Sequence, residues 1–150
     1  MSFSSATNRL PVEEPAKSLI PQHPSKPSKL ARSFGIDVII TDHHLPPKDL
    51  PEANSIINPN LRGCDFPSKN LAGVGVSVYL FSSLKTHLVA IGYFEKQNIE
   101  LPDLRELLDL VALGTVADVV KLDQNNRILI NEGIKRIRQK RCSKGILAIL

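Results

Sequence analysis

The feature that most limits the fold is a short apolar run that ends at a cluster of polar residues. Residues 36–41 (IDVIIT) are apolar or β-branched at almost every position. A continuous run of this kind is typical of a strand that is buried on both faces of a parallel sheet. Helical patterns follow it, so the sequence predicts an α/β fold with parallel strands and flanking helices.

The other elements follow from apolar spacing and from the positions of proline and glycine. We predict a helix over residues 29–35 that is closed by Gly35, a strand over residues 54–59 that is stopped by Pro59, and a polar loop over residues 58–70. Three further helices are predicted over residues 71–92, 102–114 and 125–141. Gly114 is the expected end of one helix, and Ser143 is the expected N-cap of another. Two strands make a poor sheet by themselves, so the domain is expected to continue beyond both ends.

Residues 1–29 differ from the rest in composition. They contain five prolines among Ser, Lys and Glu and have no helical or strand period, so we predict a disordered leader. No segment is suited to be a signal peptide or a membrane span. The two cysteines, Cys64 and Cys142, fit neither a disulfide framework nor a zinc pattern. These features predict a soluble, cytoplasmic protein that has no membrane partner.

Asp42, His43 and His44 follow the first strand directly. In open α/β sheets, ligands collect at the carboxyl ends of the strands. A carboxylate with neutral imidazoles suits Mn²⁺, and suits Mg²⁺ less well. Both histidines can face one ion only if the chain bends, which Pro46 and Pro47 favour. Alternatives are one histidine on a metal and the other on a phosphate, or a simple turn capped by Asp42 with solvated histidines.

Asp118 is the second candidate ligand. It interrupts the apolar stretch LDLVALGTVADVV, and a carboxylate held against apolar side chains needs a partner such as a divalent cation. A helix-cap or turn aspartate bonded to backbone N–H groups is an equally good interpretation of Asp118 taken alone. Asp109, in the helix before it, is expected to be solvated or to form a salt bridge.

Two further features concern phosphate. Gly73 and Gly75 begin a predicted helix, whose free N–H groups could receive a phosphate, although close packing is the commoner role of such glycines. The net charge of +4 is concentrated in a basic run over residues 135–144, which could neutralise nucleic-acid phosphates. A solvated helix face is its commoner role, because no aromatic residues are interleaved for base stacking. The candidate phosphate contacts in this run are Lys135, Arg136 and Arg138.

Three stretches resemble the DHH phosphoesterase superfamily, namely GIDVIITDHHLPP, INPNLRGCDFPSKNLAGVGVSVYL and LLDLVALGTVADVVKLDQNNRILINEGIKRIR. The resemblance runs almost without a gap over residues 30–150, which are therefore predicted to be the C-terminal part of a DHH domain. It is closest to the single-strand-specific 5′→3′ DNA exonucleases of the superfamily. The resemblance implies single-stranded DNA as substrate in repair and recombination, and two Mn²⁺ or Mg²⁺ ions at the end of a parallel sheet.

The resemblance also implies roles for particular residues. Those that match the metal-binding and catalytic positions of the family are Asp42, His43, His44 and Asp118. Gly73 and Gly75 match a glycine-rich segment beside the site, which implies contact with phosphate. Lys121 stands where the family usually has proline, so the loop after Asp118 is expected to be looser.

Some ligands and domains that the resemblance implies are absent from the chain. Related enzymes bring aspartates from an upstream Asp-x-Asp motif and from a following strand, whereas the acids before Asp37 are Glu13 and Glu14. Domains of the DHHA1 and OB types are expected downstream. Two neighbouring cations need a dense cage of anionic oxygens, so we expect the chain alone to be inactive. A separately encoded N-terminal fragment is one candidate partner that would supply the missing aspartates.

Two other functions stay open. A non-catalytic remnant could bind nucleic acid weakly through the basic run. A DHH phosphodiesterase could act on short oligonucleotides or cyclic dinucleotides. The long match through NLRGCDFPSKNLAGVGV favours the exonucleases over this last alternative.

Overall fold

Two parallel strands and a group of helices form the part of the chain that the structure, a computed structural model, describes, residues 25–150. Residues 1–24, most of the predicted leader, lie outside this part. The elements are α1 (Ser25–Ser33), β1 (Ile39–Thr41), β2 (Ser55–Ile57), α2 (Gly73–Ala90), α3 (Tyr93–Gln97), a 3-10 helix (Leu104–Leu107), α4 (Leu108–Ala117), α5 (Gln124–Arg138) and α6 (Lys144–Ile149). The predicted α/β class is confirmed. No helix in residues 25–150 has both the length and the apolarity that crossing a bilayer requires.

The first helix, α1, corrects the predicted boundary of the leader. It begins at Ser25, so residues 25–29 are helical rather than disordered. Pro27 is tolerated because it lies in the first turn, where backbone N–H groups have no partner inside the helix. Gly35 closes the helix as predicted, since it has φ +73° and donates its N–H to the carbonyl of Arg32.

The strands β1 and β2 form a parallel pair that is shorter and more exposed than predicted. Ile40 lies opposite Ile56, and α2 packs on β1. Ile39 is 64% exposed, so the predicted burial of this strand on both faces is wrong. A parallel sheet buries both faces only where helices cover both, and two short strands offer little surface for such cover.

The core lies between α2, α4 and α5. Its buried apolar side chains include Leu71, Ala72, Val76, Val111, Ala112 and Ile130. Gly114 allows α4 to approach α2, because a Cβ there would lie 2.8 Å from Cγ1 of Val74. The helix continues through Gly114 to Ala117, so the prediction that it ends at Gly114 is wrong.

Helices α4 and α5 pack closely and run antiparallel. A Cβ at Gly133 would overlap the carbonyl oxygen of Leu108 and the Cβ of Ala112. The C-terminal half of α5 therefore lies against the first turn of α4, and the start of α5 lies near the end of α4. As a result, the basic end of α5 and Asp118 are at opposite ends of α4.

Asp109 is fully buried, which corrects the expectation that it is solvated or forms a salt bridge. Its Oδ2 accepts a hydrogen bond of 2.6 Å from the backbone N–H of Ser143. Burial alone would raise the pKa of Asp109, but hydrogen bonds from Ser143 and from the Leu110 backbone outweigh it, and the pKa is lowered. The carboxylate anchors the start of α6, which begins after Ser143 as predicted.

Candidate functional site

The chain bends directly after β1, and Asp42 holds the bend. The backbone N–H of Asp42 donates to the carbonyl of Ile57 and so extends the pairing with β2. Oδ1 of Asp42 accepts from the backbone N–H groups of His43 at 2.7 Å and His44 at 3.1 Å. Burial raises the pKa of Asp42, but the hydrogen bonds from His44 and His43 outweigh this effect and lower it. Such a bend is the condition under which both histidines could face one site.

His43 and Asp118 are brought together by the fold. Nε2 of His43 lies 3.2 Å from Oδ2 of Asp118, with the two side chains 17% and 39% exposed. His44 instead has its Nδ1 2.8 Å from Oδ1 of Asp42, and its side chain is 76% exposed. The four predicted ligands therefore form two pairs, whose histidine rings have centroids 4.3 Å apart.

The position of Asp118 favours a cation beside it. Asp118 ends α4, and its N–H donates to the carbonyl of Gly114. The last carbonyl groups of a helix carry partial negative charge, so a carboxylate there is disfavoured unless positive charge is close. A protonated His43 or a metal cation at the Asp118 carboxylate would supply that charge.

The spacing of the His43–Asp118 pair fits a shared cation as well as a direct hydrogen bond. Two donors that bind one cation at about 2.1–2.2 Å, at an angle of about 90°, lie roughly 3 Å apart. Within residues 25–150, no group of three or more His, Cys, Asp or Glu side chains is close enough to hold a metal ion. The pair can thus provide two ligands, and a full coordination shell needs donors from outside the described part.

Asn58 and Asn60, which are not among the predicted site residues, hold the backbone of the two histidines in place. Nδ2 of Asn58 donates to the carbonyl of His44 at 2.8 Å, and Nδ2 of Asn60 donates to the carbonyl of His43 at 2.7 Å. Both asparagines follow β2 and so lie at the same edge of the sheet as the histidines. The pattern Asn-Pro-Asn directly after a strand is the signal that could have identified them.

A second group of hydrogen-bonded residues that was not predicted lies around the start of α5. Nδ2 of the fully buried Asn126 donates to the carbonyls of Asn70 and Lys121. Asp123 caps α5 by accepting from the N–H of Asn126, and it also accepts from the hydroxyl of Ser68. Burial raises the pKa of Asp123, but these hydrogen bonds outweigh it and lower the pKa. The capping pattern Asp-x-x-Asn could have identified this group.

The two glycines of the predicted phosphate segment have different surroundings. A Cβ at Gly73 would lie 3.7 Å from Cδ2 of His43, so the first residue of α2 lies beside that ring. A Cβ at Gly75 would lie 2.9 Å from Cδ2 of Leu71, which is the close packing predicted as the alternative role of these glycines. The phosphate contact of both glycines stays a prediction.

The candidate phosphate contacts of α5, Lys135, Arg136 and Arg138, lie away from the His43–Asp118 pair. They are at the end of α5 that packs near Leu108, and Asp118 lies ten positions after Leu108 at the other end of α4. At about 1.5 Å per residue, this separation is roughly 15 Å. Lys135 pairs with Glu132 at 2.6 Å, and Arg138 is exposed. Their contact with nucleic acid stays a prediction.

Asp42, His43 and His44 follow a parallel strand directly, and Asp118 at the end of a helix lies beside His43. This is the arrangement expected of the DHH class. The chain belongs to the DHH family, because the family model described as "DHH family, N-terminal domain" matches residues 20–115. The resemblance noted in the sequence is thereby confirmed.

The relatives make the comparison more specific. The chain is 63% identical over 120 residues to "Single-stranded-DNA-specific exonuclease RecJ" of Escherichia coli, covering 80% of this chain and 21% of that protein. It is 62% identical to the RecJ of Salmonella typhimurium, with the same coverage. The crystal structure of exonuclease RecJ bound to manganese matches with a TM-score of 0.57 and 33% identity, covering 77% of this chain and 26% of that chain. The chain spans about a fifth of the length of the curated relatives.

Proposed function

We propose that the chain is part of a single-stranded-DNA-specific exonuclease that hydrolyses phosphodiester bonds from the 5′ end, in DNA repair and recombination in the cytoplasm. The observation that carries the proposal is the His43–Asp118 pair, with 3.2 Å between Nε2 and Oδ2. This pair lies in a chain that is 63% identical over 120 residues to an exonuclease of that specificity.

His43 and Asp118 are the proposed metal ligands, and Mn²⁺ is the proposed metal because an imidazole nitrogen suits it better than Mg²⁺. Oδ1 of Asp42 is engaged in the bend, so its Oδ2 is the oxygen that remains for a cation. The chemistry that a bound divalent cation supplies is activation of water and neutralisation of charge on the phosphate. The aspartates that complete a two-metal site would come from outside residues 25–150.

The start of α2 is the proposed contact for the scissile phosphate. Ala72 precedes α2 without a side-chain cap, so the N–H groups of the first turn have no side-chain acceptor. Such a helix start favours an anion, through these N–H groups and through the helix dipole. Gly73, beside the His43 ring, has no side chain that would keep a phosphate away. Residues 135–138 of α5 are proposed to contact phosphates farther along the strand.

A chimaera tests the proposed function. In it, residues 30–150 of this chain replace the matching segment of the Escherichia coli relative, and nucleotide release from 5′-labelled single-stranded DNA is measured with Mn²⁺. We expect activity in the chimaera, and a loss of about 100-fold or more with His43→Ala or Asp118→Ala, because loss of even an outer-shell partner costs up to about 100-fold.

Asp103→Ala is the matched control for these substitutions, since Asp103 is a carboxylate that pairs with Arg105 on the surface. It should leave activity within about twofold, as expected of an exposed ion pair. A folded chimaera that is inactive, or one that stays active with both His43 and Asp118 replaced, would contradict the proposal.

A non-catalytic nucleic-acid-binding module is the second candidate. It is favoured by the finding that residues 25–150 bring no three ligands together, while Arg138, Lys140 and Arg141 are exposed. This function predicts salt-sensitive binding of single-stranded DNA by the chain without metal. The binding should weaken with Arg138→Ala and should be unchanged with Asp118→Ala.

A further inference from the structure

His43 and Asp118 come from segments that are distant in sequence, and a loop between β2 and α2 joins the two segments. Nδ2 of Asn60 donates both to the carbonyl of His43 at 2.7 Å and to that of Lys69 at 3.1 Å. Nδ2 of Asn126 donates both to the carbonyl of Asn70 at 2.7 Å and to that of Lys121 at 2.9 Å.

The two amides hold neighbouring peptide units of the same loop. Lys69 and Asn70 are consecutive, so the bond from Asn60 and the bond from Asn126 meet at one point of the chain. The resulting path runs from the carbonyl of His43, through this loop, to the carbonyl of Lys121, three residues after Asp118. Side-chain bonds to Asp123 from Ser68 and from Asn70 hold the same loop against α5.

The burial of Asn126 indicates that its two N–H donors, and not its oxygen, are the atoms that this position needs. Asn126 is fully buried, and its Oδ1 has no hydrogen-bond partner within the described residues. Burying an amide oxygen without a partner carries a desolvation cost, which the two N–H donations to backbone carbonyls must offset. An apolar side chain of similar size would fill the space without that cost and would leave both carbonyls unbonded.

We propose that Asn60 and Asn126 are positioning residues, which fix the distance between His43 and Asp118 through the loop that both asparagines hold. The proposal rests on the proposed metal binding by this pair. The asparagines act on the backbone of the two ligand segments and do not touch the metal. Loss of either one lets the end of β1 and the end of α4 move independently, which separates the two ligands.

The test uses the full 150-residue chain and its variants Asn60→Ala and Asn126→Ala. Mn²⁺ affinity is measured by electron paramagnetic resonance at a temperature at which circular dichroism shows each variant to be folded. Each variant should bind Mn²⁺ about 10- to 100-fold more weakly, the cost typical of losing an outer-shell partner. Gly133→Ala is the matched control, because it disturbs α4 and α5 near Leu108 and should change the affinity less than twofold.

A second measurement needs no metal. The nuclear Overhauser effect between the ring of His43 and the α protons of Gly73 reports whether His43 keeps its place beside α2. It should weaken in Asn60→Ala and persist in Gly133→Ala. If Asn126→Ala does not fold, Asn60→Ala decides the question, since Asn60 is only partly buried.

The outcomes separate the two proposals. Affinity of both variants within twofold of the unmodified chain, or an equal loss in Gly133→Ala, would show a purely structural role and overturn the positioning proposal. If the unmodified chain binds no Mn²⁺, the proposed metal binding by this chain fails. The positioning proposal is then judged on the nuclear Overhauser effect between His43 and Gly73 alone. If this nuclear Overhauser effect is unchanged in Asn60→Ala, the positioning proposal is overturned.

Discussion

At the scale of single residues, Val119 has the backbone conformation least suited to its side chain. Its φ of +54° lies in the left-handed region, which a β-branched residue rarely adopts. Val119 is 87% exposed, so packing of its side chain does not offset the strain. The conformation is required because α4 ends at Asp118 and the chain must turn at once towards α5.

Val119→Gly should therefore raise the free energy of unfolding by about 1 kcal/mol, since glycine adopts positive φ without the steric cost. Urea unfolding followed by circular dichroism measures this change. Val116→Gly is the matched control, because Val116 lies inside α4 and the same substitution there should lower stability by roughly 0.3 kcal/mol, the difference between the helix propensities of valine and glycine. A loss of stability in Val119→Gly would show that the valine side chain makes a stabilising contact.

At the scale of elements, the packing of α4 against its two neighbours depends on glycine. Gly114 faces Val74 of α2, and Gly133 faces Leu108 and Ala112 of α4. The sequence predicts a helix end at Gly114, because glycine often follows the last turn. A glycine that allows close packing has the same sequence pattern, and the neighbouring helix decides between the two roles.

Gly133→Ala should lower the free energy of unfolding by about 2 kcal/mol, because the added Cβ forces α4 and α5 apart. Thermal and urea unfolding measure the loss. Gly145→Ala in α6 is the control, since a Cβ at Gly145 meets nothing within 4 Å. That change should be neutral or should stabilise the chain by up to about 1 kcal/mol. Equal stability of Gly133→Ala and the unmodified chain would contradict the close approach of the two helices.

At the scale of the whole molecule, two carboxylates join elements that are distant in sequence. Asp109 holds the start of α6 against α4, and Asp123 holds the loop at Ser68 against α5. In both, hydrogen bonds lower the pKa in spite of burial. A lowered pKa in the folded state means that the ionised form stabilises the fold, so the contribution is present above the unfolded pKa of about 3.9.

Stability should consequently fall as the pH drops below about 4 and these carboxylates take up protons. Urea midpoints between neutral pH and acid pH measure the fall. Asp109→Asn and Asp123→Asn should each lower the free energy of unfolding at neutral pH. The difference in this free energy between each variant and the unmodified chain should shrink as the pH falls. Asp65→Asn, at an exposed site, serves as the control. A constant difference across this range would contradict the lowered pKa values.

The sequence predicted the site only in part. The positions of both strands, the long helix α2 and the family followed from local pattern and motif. The end of α4 and the burial of Asp109 did not, because each depends on a neighbour that is distant in sequence. Asn60 in its loop and Asn126 in the first turn of α5 were missed for the same reason, since an asparagine has the same local pattern whether it is solvated or bonded to a distant carbonyl.

The sequence by itself determined the class of fold and the motif that ends β1, because apolar period and turn residues act over a few positions. The tertiary structure alone decided that His43 faces Asp118 while His44 pairs with Asp42. That choice depends on the bend after β1 and on side-chain amides that hold separate segments together. Such contacts are made through space, and no spacing along the chain specifies them.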